Sequence, residues 1–285
     1  MKLHVAIKYK IFTLIIALLV GSNSILSQEA NKTDDLAQQL QNPLATLTII
    51  PVLHAFYLES TQTEEVGYTS TLQPMFPINF NKVNMINRVV FGIGYQPGIV
   101  EGLDLIPQGY PEKGQIDGAW GISDLNYSFF ISPKNVRKVA WGVGPSVTFP
   151  TSTDNRLGTG KYSLGFSFVV VYQYEKLTMD LIVRQTWSVA GDAERRDVNQ
   201  LVAQPLIAYA LGKGWVLSTY PTISANWSFD EDRQWTVPIG AGVSKLLFLG
   251  KLPMNLSAQY YHYVVRPDLA PHSEFRITTT FVLAK

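Results

Sequence analysis

The chain has 285 residues, and the first 27 read as a removable export signal, leaving about 258, a length that two ordinary domains or one large barrel fills. Hydrophobic residues make up 46%, charged residues only 16%, and 34 aromatic side chains accompany them, which excludes a disordered chain. Loss of Lys2, Lys8 and Lys10 with the signal leaves 20 basic against 22 acidic residues, and cysteine is absent. A strongly basic nucleic-acid binder, a disulfide scaffold, a thiolate metal site and a cysteine lipid anchor are therefore excluded.

Residues 2–10 carry three lysines, residues 11–20 (IFTLIIALLV) are apolar, and residues 21–27 (GSNSILS) form a small-residue exit. This is the composition of a secretory signal. Ten apolar residues span only about 15 Å as a helix, half the hydrocarbon thickness, so the segment is too short for an anchor. After it comes a polar leader, 28–45. Within it Thr33 is placed to cap a short helix with Asp34 and Asp35 in its first turn, Leu36 and Leu40 on one face and Pro43 as its end. A helix of that length is marginal alone, so it either stays mobile or packs into something else.

From residue 46 onward one plan repeats: about ten residues alternate bulky apolar with small or polar, and then a break follows. Twelve such runs are expected, at 46–58, 68–79, 84–96, 120–132, 137–150, 160–174, 177–190, 199–211, 215–228, 234–247, 253–265 and 273–284. No stretch after residue 27 supplies the roughly 18 to 20 apolar residues of a membrane helix, whereas a tilted membrane strand needs only about 9 to 11. In the sixth run Tyr162, Leu164, Phe166, Phe168, Val170, Tyr172 and Tyr174 share one face; Ser163, Gly165, Ser167, Val169, Val171 and Gln173 share the other. The second face is mostly Gly, Ser, Thr, Asn and Gln in the other runs too. Such residues do not fill the dry core of a sandwich, but they suit a wet or hydrogen-bonded lumen whose bulky face meets lipid. The strands must then close on themselves, because an open edge in hydrocarbon leaves amide groups unpaired.

Aromatic residues near the run ends (Tyr57, Tyr95, Trp120, Tyr172, Tyr174, Trp187, Trp215, Trp227, Trp235 and Tyr260) are expected to form interfacial girdles. Connections alternate as well. Short basic ones (81–84, 132–138, 175–176, 212–214, 249–252) are expected in the periplasm, and longer acid-rich ones (59–65, 98–119, 151–160, 191–198, 229–233, 266–273) outside. The acidic loops are expected to be solvated.

Chemistry-bearing motifs are missing. His54, His262 and His272 are the histidines that follow the signal, and none sits in a metalloprotease or nucleophile-elbow spacing. The glycine pairs 92/94, 142/144 and 240/242 fall inside strands without a following helix, so they read as close backbone approach rather than phosphate loops. With each bulky face turned outward, Arg88, Asp124, Asp180, Arg184 and Arg276 point into the lumen. Gln173, Gln200, Gln204, Asn226, Asn255 and Gln259 join them, with Tyr220, Tyr261 and Tyr263. Opposite charges in a narrow lumen pair, narrow the passage and set a transverse field; equally, they can stabilise the interior without any transport role. The lumen-lining candidates are Arg88, Asp124, Asp180, Arg184, Gln204, Tyr261 and Arg276.

Several stretches resemble the outer-membrane channel family associated with the meta-pathway of phenol degradation. They are WGVGP at 141–145, FPTSTDNRLGTGK at 149–161, DVNQ at 197–200, QP at 204–205, KGW at 213–215 and WTVPIGAGV at 235–243, with DDLAQQLQNP in the leader. The resemblance implies barrel strands and loops over most of the mature chain and brings neither a substrate nor catalytic residues. One departure is the carboxyl end, where Phe281 is followed by VLAK, whereas many such barrels end on the aromatic residue that the assembly machinery reads.

The expectation is an all-β transmembrane antiparallel β-barrel of about 12 strands with a short N-terminal helical leader, in a Gram-negative outer membrane. Its partners would be outer-membrane lipid, the barrel assembly machinery and a small-molecule solute, hydrophobic or aromatic molecules among the candidates; no cofactor, metal or nucleic acid is implied. An outer-membrane hydrolase and a closed structural barrel remain the alternatives.

Overall fold

A computed structural model describes residues 27–59, 65–98, 117–134, 138–267 and 270–283. The expected signal core, much of the 98–119 connection and the last two residues lie outside the described residues. One helix, α1 (Ser27–Gln39), precedes fifteen strand segments. These are β1 (Thr48–Leu58), β2 (Gly67–Leu72), β3 (Met75–Asn79), β4 (Val83–Gln96), β5 (Ala119–Ile122), β6 (Leu125–Pro133), β7 (Val139–Phe149), β8 (Lys161–Tyr174), β9 (Leu177–Gly191), β10 (Asn199–Gly212), β11 (Trp215–Thr219), β12 (Ile223–Asn226), β13 (Trp235–Leu249), β14 (Leu252–Val265) and β15 (Ser273–Leu283). No helix among the described residues is long and apolar enough to cross a membrane.

The fifteen segments make twelve staves, because β2 with β3, β5 with β6 and β11 with β12 are each one run interrupted midway. Two of the interruptions contain a proline, Pro74 and Pro221, which cannot donate to the ladder. At the third, the Ser123 hydroxyl bonds the Gly92 backbone of β4 and Asp124 turns its carboxylate to the Thr159 amide of a connection. Every pairing is antiparallel, and β1 pairs with β15 from Thr48 against Leu283 to Leu58 against Ser273, so the sheet closes. Closure leaves no open edge, which is what hydrocarbon demands of a spanning sheet.

Burial follows the alternation. Leu164, Phe166 and Phe168 of β8 are exposed on the outside, while Ser163, Ser167, Val169 and Val171 are buried inside. The same split runs through β7, where Trp141 and Val143 face out and Ser146 is buried. The outer surface is thus a continuous apolar belt, the feature that a soluble barrel lacks. Aromatic pairs mark its long-loop rim: Tyr68 and Tyr95 pack against Trp120, and Trp227 packs edge-on against Trp235 at 5.4 Å. Tyr57 departs from the expected girdle. It sits on the inward face of β1, hydrogen-bonded to Thr69, because its position has the parity of Leu53 and Ala55.

Strand glycines are explained by close approach. An ideal Cβ on Gly240 would lie 1.9 Å from the carbonyl oxygen of Tyr260, and one on Gly144 equally near that of Phe129. The α1 helix starts at Ser27, well before the expected cap at Thr33, and ends at Gln39. Its second half is the part that docks. Ala37 is almost fully buried against Leu206, Ala208, Val216 and Leu246, all inward-facing side chains of β10, β11 and β13.

Candidate functional site

The interior is divided rather than uniformly wet. Beyond α1 the leader crosses the lumen, and Leu44 packs on the opposite wall with Ile86, Phe130, Val169, Val171 and Ile182. This accounts for Val169 and Val171 on an otherwise small-residue face. Polar contacts fix the leader between the two apolar clusters. The Gly214 amide donates to Asp34 Oδ1 at 2.5 Å, Asn42 Nδ2 donates to Gln173 Oε1 at 2.9 Å, and Gln38 donates to the Glu175 carbonyl. Gly214 and Glu175 belong to the short connections, so the leader fills the short-turn end.

Two cavities are stacked in the lumen above it. The inner one, about 170 Å³, has Leu40, Gln41, Asn42 and Pro43 of the leader in its lining, together with Asp180, Ser244, Asn255 and Gln259. Asp180 Oδ1, Ser244 Oγ and Asn255 Oδ1 are buried acceptors with no protein partner. Buried oxygens of this kind are ordinarily satisfied by water, and the volume suits a few molecules at about 30 Å³ each. The outer cavity, about 400 Å³, lies toward the long loops and is lined by Tyr57, Gln200, Arg184, Gln204, Tyr263 and Glu274 among others. Arg88 and Arg276 line both.

At the junction Arg88 of β4 reaches Gln204 on the nearly opposite stave β10 at 3.5 Å and donates to Gln73 Oε1 at 2.8 Å. Gln204 in turn donates to Thr222. Nearby, Arg276 forms a buried ion pair with Glu274, Nε to Oε1 2.8 Å, and donates to the Tyr220 carbonyl at 3.0 Å. Its guanidinium stacks 4.8 Å over the Tyr261 ring, and the Tyr261 hydroxyl accepts the Tyr220 amide. Tyr263 completes the cluster through a hydrogen bond to Glu274. Arg184 donates to Asn126 Oδ1 at 2.8 Å, and Asn126 is held by Ser146 and Thr148.

Of the seven expected lumen residues, Arg88, Asp180, Arg184, Gln204 and Arg276 therefore line a cavity, and Tyr261 is buried beneath Arg276. Asp124 is a correction. It lines neither cavity and accepts from the Ser152 amide and from the Thr159 amide and hydroxyl, locking the 151–160 connection. Its strand is interrupted at that position, so the parity argument fails there. That connection is also more ordered than a solvated acidic loop: Arg195 donates to the Asn155 and Gly158 carbonyls, and Lys161 pairs with Asp197 at 3.2 Å. Hydrogen bonds to Lys161 and Ser188 hold the Asp197 carboxyl below its ordinary pKa.

Glu274 and Gln73 escaped the sequence reading. Glu274 has the inward parity of Arg276, two residues away, which is the signal that would have found it; Gln73 lies in a strand break and has none. The histidines form no serine-linked array among the described contacts: His54 meets Tyr68 at 2.8 Å, and Arg266 meets His272.

No protein-family model matches the chain, and no curated protein matches it. Among solved structures it is similar to an outer membrane channel from Pseudomonas putida F1, with 13% identity, a TM-score of 0.57, and 83% of this chain and 94% of that one covered. It is also similar to the NanC porin, with 9% identity, a TM-score of 0.50, and 83% and 100% covered. At such identities the likeness speaks to fold alone. Together with the apolar belt and the closed wall, it makes the chain a twelve-stranded barrel of the Gram-negative outer-membrane type.

Proposed function

We propose that this barrel is a passive channel for small molecules, hydrophobic or aromatic ones included, and that its leader is the plug. The observation that carries the reading is the arrangement inside the wall: two cavities continue one another along the lumen, and only side-chain bridges and a non-covalently docked segment interrupt them. Diffusion down a gradient then requires displacement of the leader and of the Arg88 to Gln204 contact, with no cofactor. The likeness to the Pseudomonas putida outer membrane channel supports the same direction.

Planar bilayers containing the full chain, compared with a chain lacking residues 28–42, provide the test. Conductance should rise several-fold on deletion. Unchanged, negligible current in a folded barrel would overturn the proposal in favour of a closed structural barrel. Liposome uptake of sugars, amino acids and phenols then identifies the solute class.

A further inference from the structure

Five charged side chains line the two cavities, and among them only Arg276 and Glu274 form an ion pair. Arg88 and Arg184 have only neutral amide partners among the described residues: Gln73 and Gln204 for the first, Asn126 for the second. Asp180 opens on the inner cavity, is absent from the lining of the outer one, and forms an ion pair with neither arginine. The outer cavity of about 400 Å³ therefore holds two guanidinium groups without a carboxylate of their own. A partly desolvated cation is stabilised by an anion, and the planar guanidinium fork matches a carboxylate in particular. The lining is mixed: Ser128 and Ser167 lie beside the two arginines, and Leu53, Val90, Phe130, Ile182 and Val202 supply apolar side chains.

We propose that the outer cavity binds a small organic carboxylate with an apolar or aromatic body. Arg88 and Arg184 take the carboxylate, and Phe130, Ile182 and Val202 receive the body. The inference rests on the channel reading for its role in uptake, where it makes Arg88 both bridge and ligand: an arriving anion competes with Gln204 for the same guanidinium and so loosens the contact that spans the lumen.

Isothermal titration of the full-length barrel in detergent with benzoate, and with the uncharged benzamide of the same shape, tests it directly. Benzoate should bind at least about tenfold more tightly, and Arg88→Gln and Arg184→Gln should each lose about tenfold in benzoate affinity while leaving benzamide unaffected. Equal affinity for the two ligands, no benzoate binding by the native chain, or undiminished benzoate affinity in both variants would overturn it. The native comparison needs no variant to fold, and heat-modifiable mobility on gels verifies the variants. Solute flux in liposomes separates the two proposals: a barrel that binds benzoate but passes nothing refutes the channel and keeps the site, and one that passes neutral phenols without preferring benzoate does the reverse.

Discussion

The Arg276 and Glu274 pair shows how a buried charge is tolerated within a wall only one residue thick. Both side chains are almost wholly buried, two hydrogen bonds join them, and Tyr263 and the Tyr220 carbonyl add one further bond each. Removing one partner strands the other, so Glu274→Ala should destabilise the barrel by about 3 to 5 kcal/mol, read from urea unfolding in lipid vesicles. A double variant with Arg276 replaced by Met should recover most of the loss. Arg88→Ala acts on passage instead: it removes a positive group and the bridge to Gln204, and the reversal potential in a salt gradient should move toward cation selectivity. An unmoved potential would separate Arg88 from the conduction path. Outside the membrane, the depressed pKa of Asp197 means that its contact with Lys161 is intact at neutral pH and is lost as pH falls through that lowered value, below the usual aspartate range near about 4. Lys161→Met should mimic acid at neutral pH, and faster tryptic cleavage at Arg195 or Arg196 reports it.

Among the elements, the leader is the one on which the proposed plug depends. An isolated helix of thirteen residues is marginal, and its mean composition is polar, so its order comes from Ala37, Leu36 and Leu40 meeting the inward faces of β10, β11 and β13. Ala37→Asp would bury a carboxylate in that cluster and should release the leader, giving open-channel current close to that of the deletion. Asp34→Ala removes the hydrogen bond to Gly214 and should have a smaller effect, about 1 kcal/mol or roughly fivefold in the open fraction. The helix was legible as a possibility in Leu36, Leu40 and Pro43. Its docking was not, because the partners of Ala37 lie more than 160 residues away in the sequence.

For the whole molecule, a period of two written over some 240 residues made the barrel readable. All twelve runs correspond to staves, since the lipid outside and the lumen inside impose opposite chemistries on alternate residues of each strand. What parity could not show was depth. Val169 and Val171 are inward like Ser167 but lie beside Leu44, and only the folded leader distinguishes a dry floor from a polar vestibule. Parity also failed where a strand breaks, at Asp124, and was passed over at Glu274 although it applied. The belt makes its own energetic prediction: Phe168→Arg, near the middle of β8, should cost about 2 to 4 kcal/mol in a bilayer.

Every functional step assumes that the bulky stripe touches acyl chains. Because the chain contains no cysteine, single cysteines can be placed at 163–168 along β8 and spin-labelled in liposomes without background. Collision rates with oxygen, which concentrates in lipid, should be high at 164, 166 and 168 and low at 163, 165 and 167. The inverse pattern, or no alternation, would contradict the membrane barrel and the passage built on it.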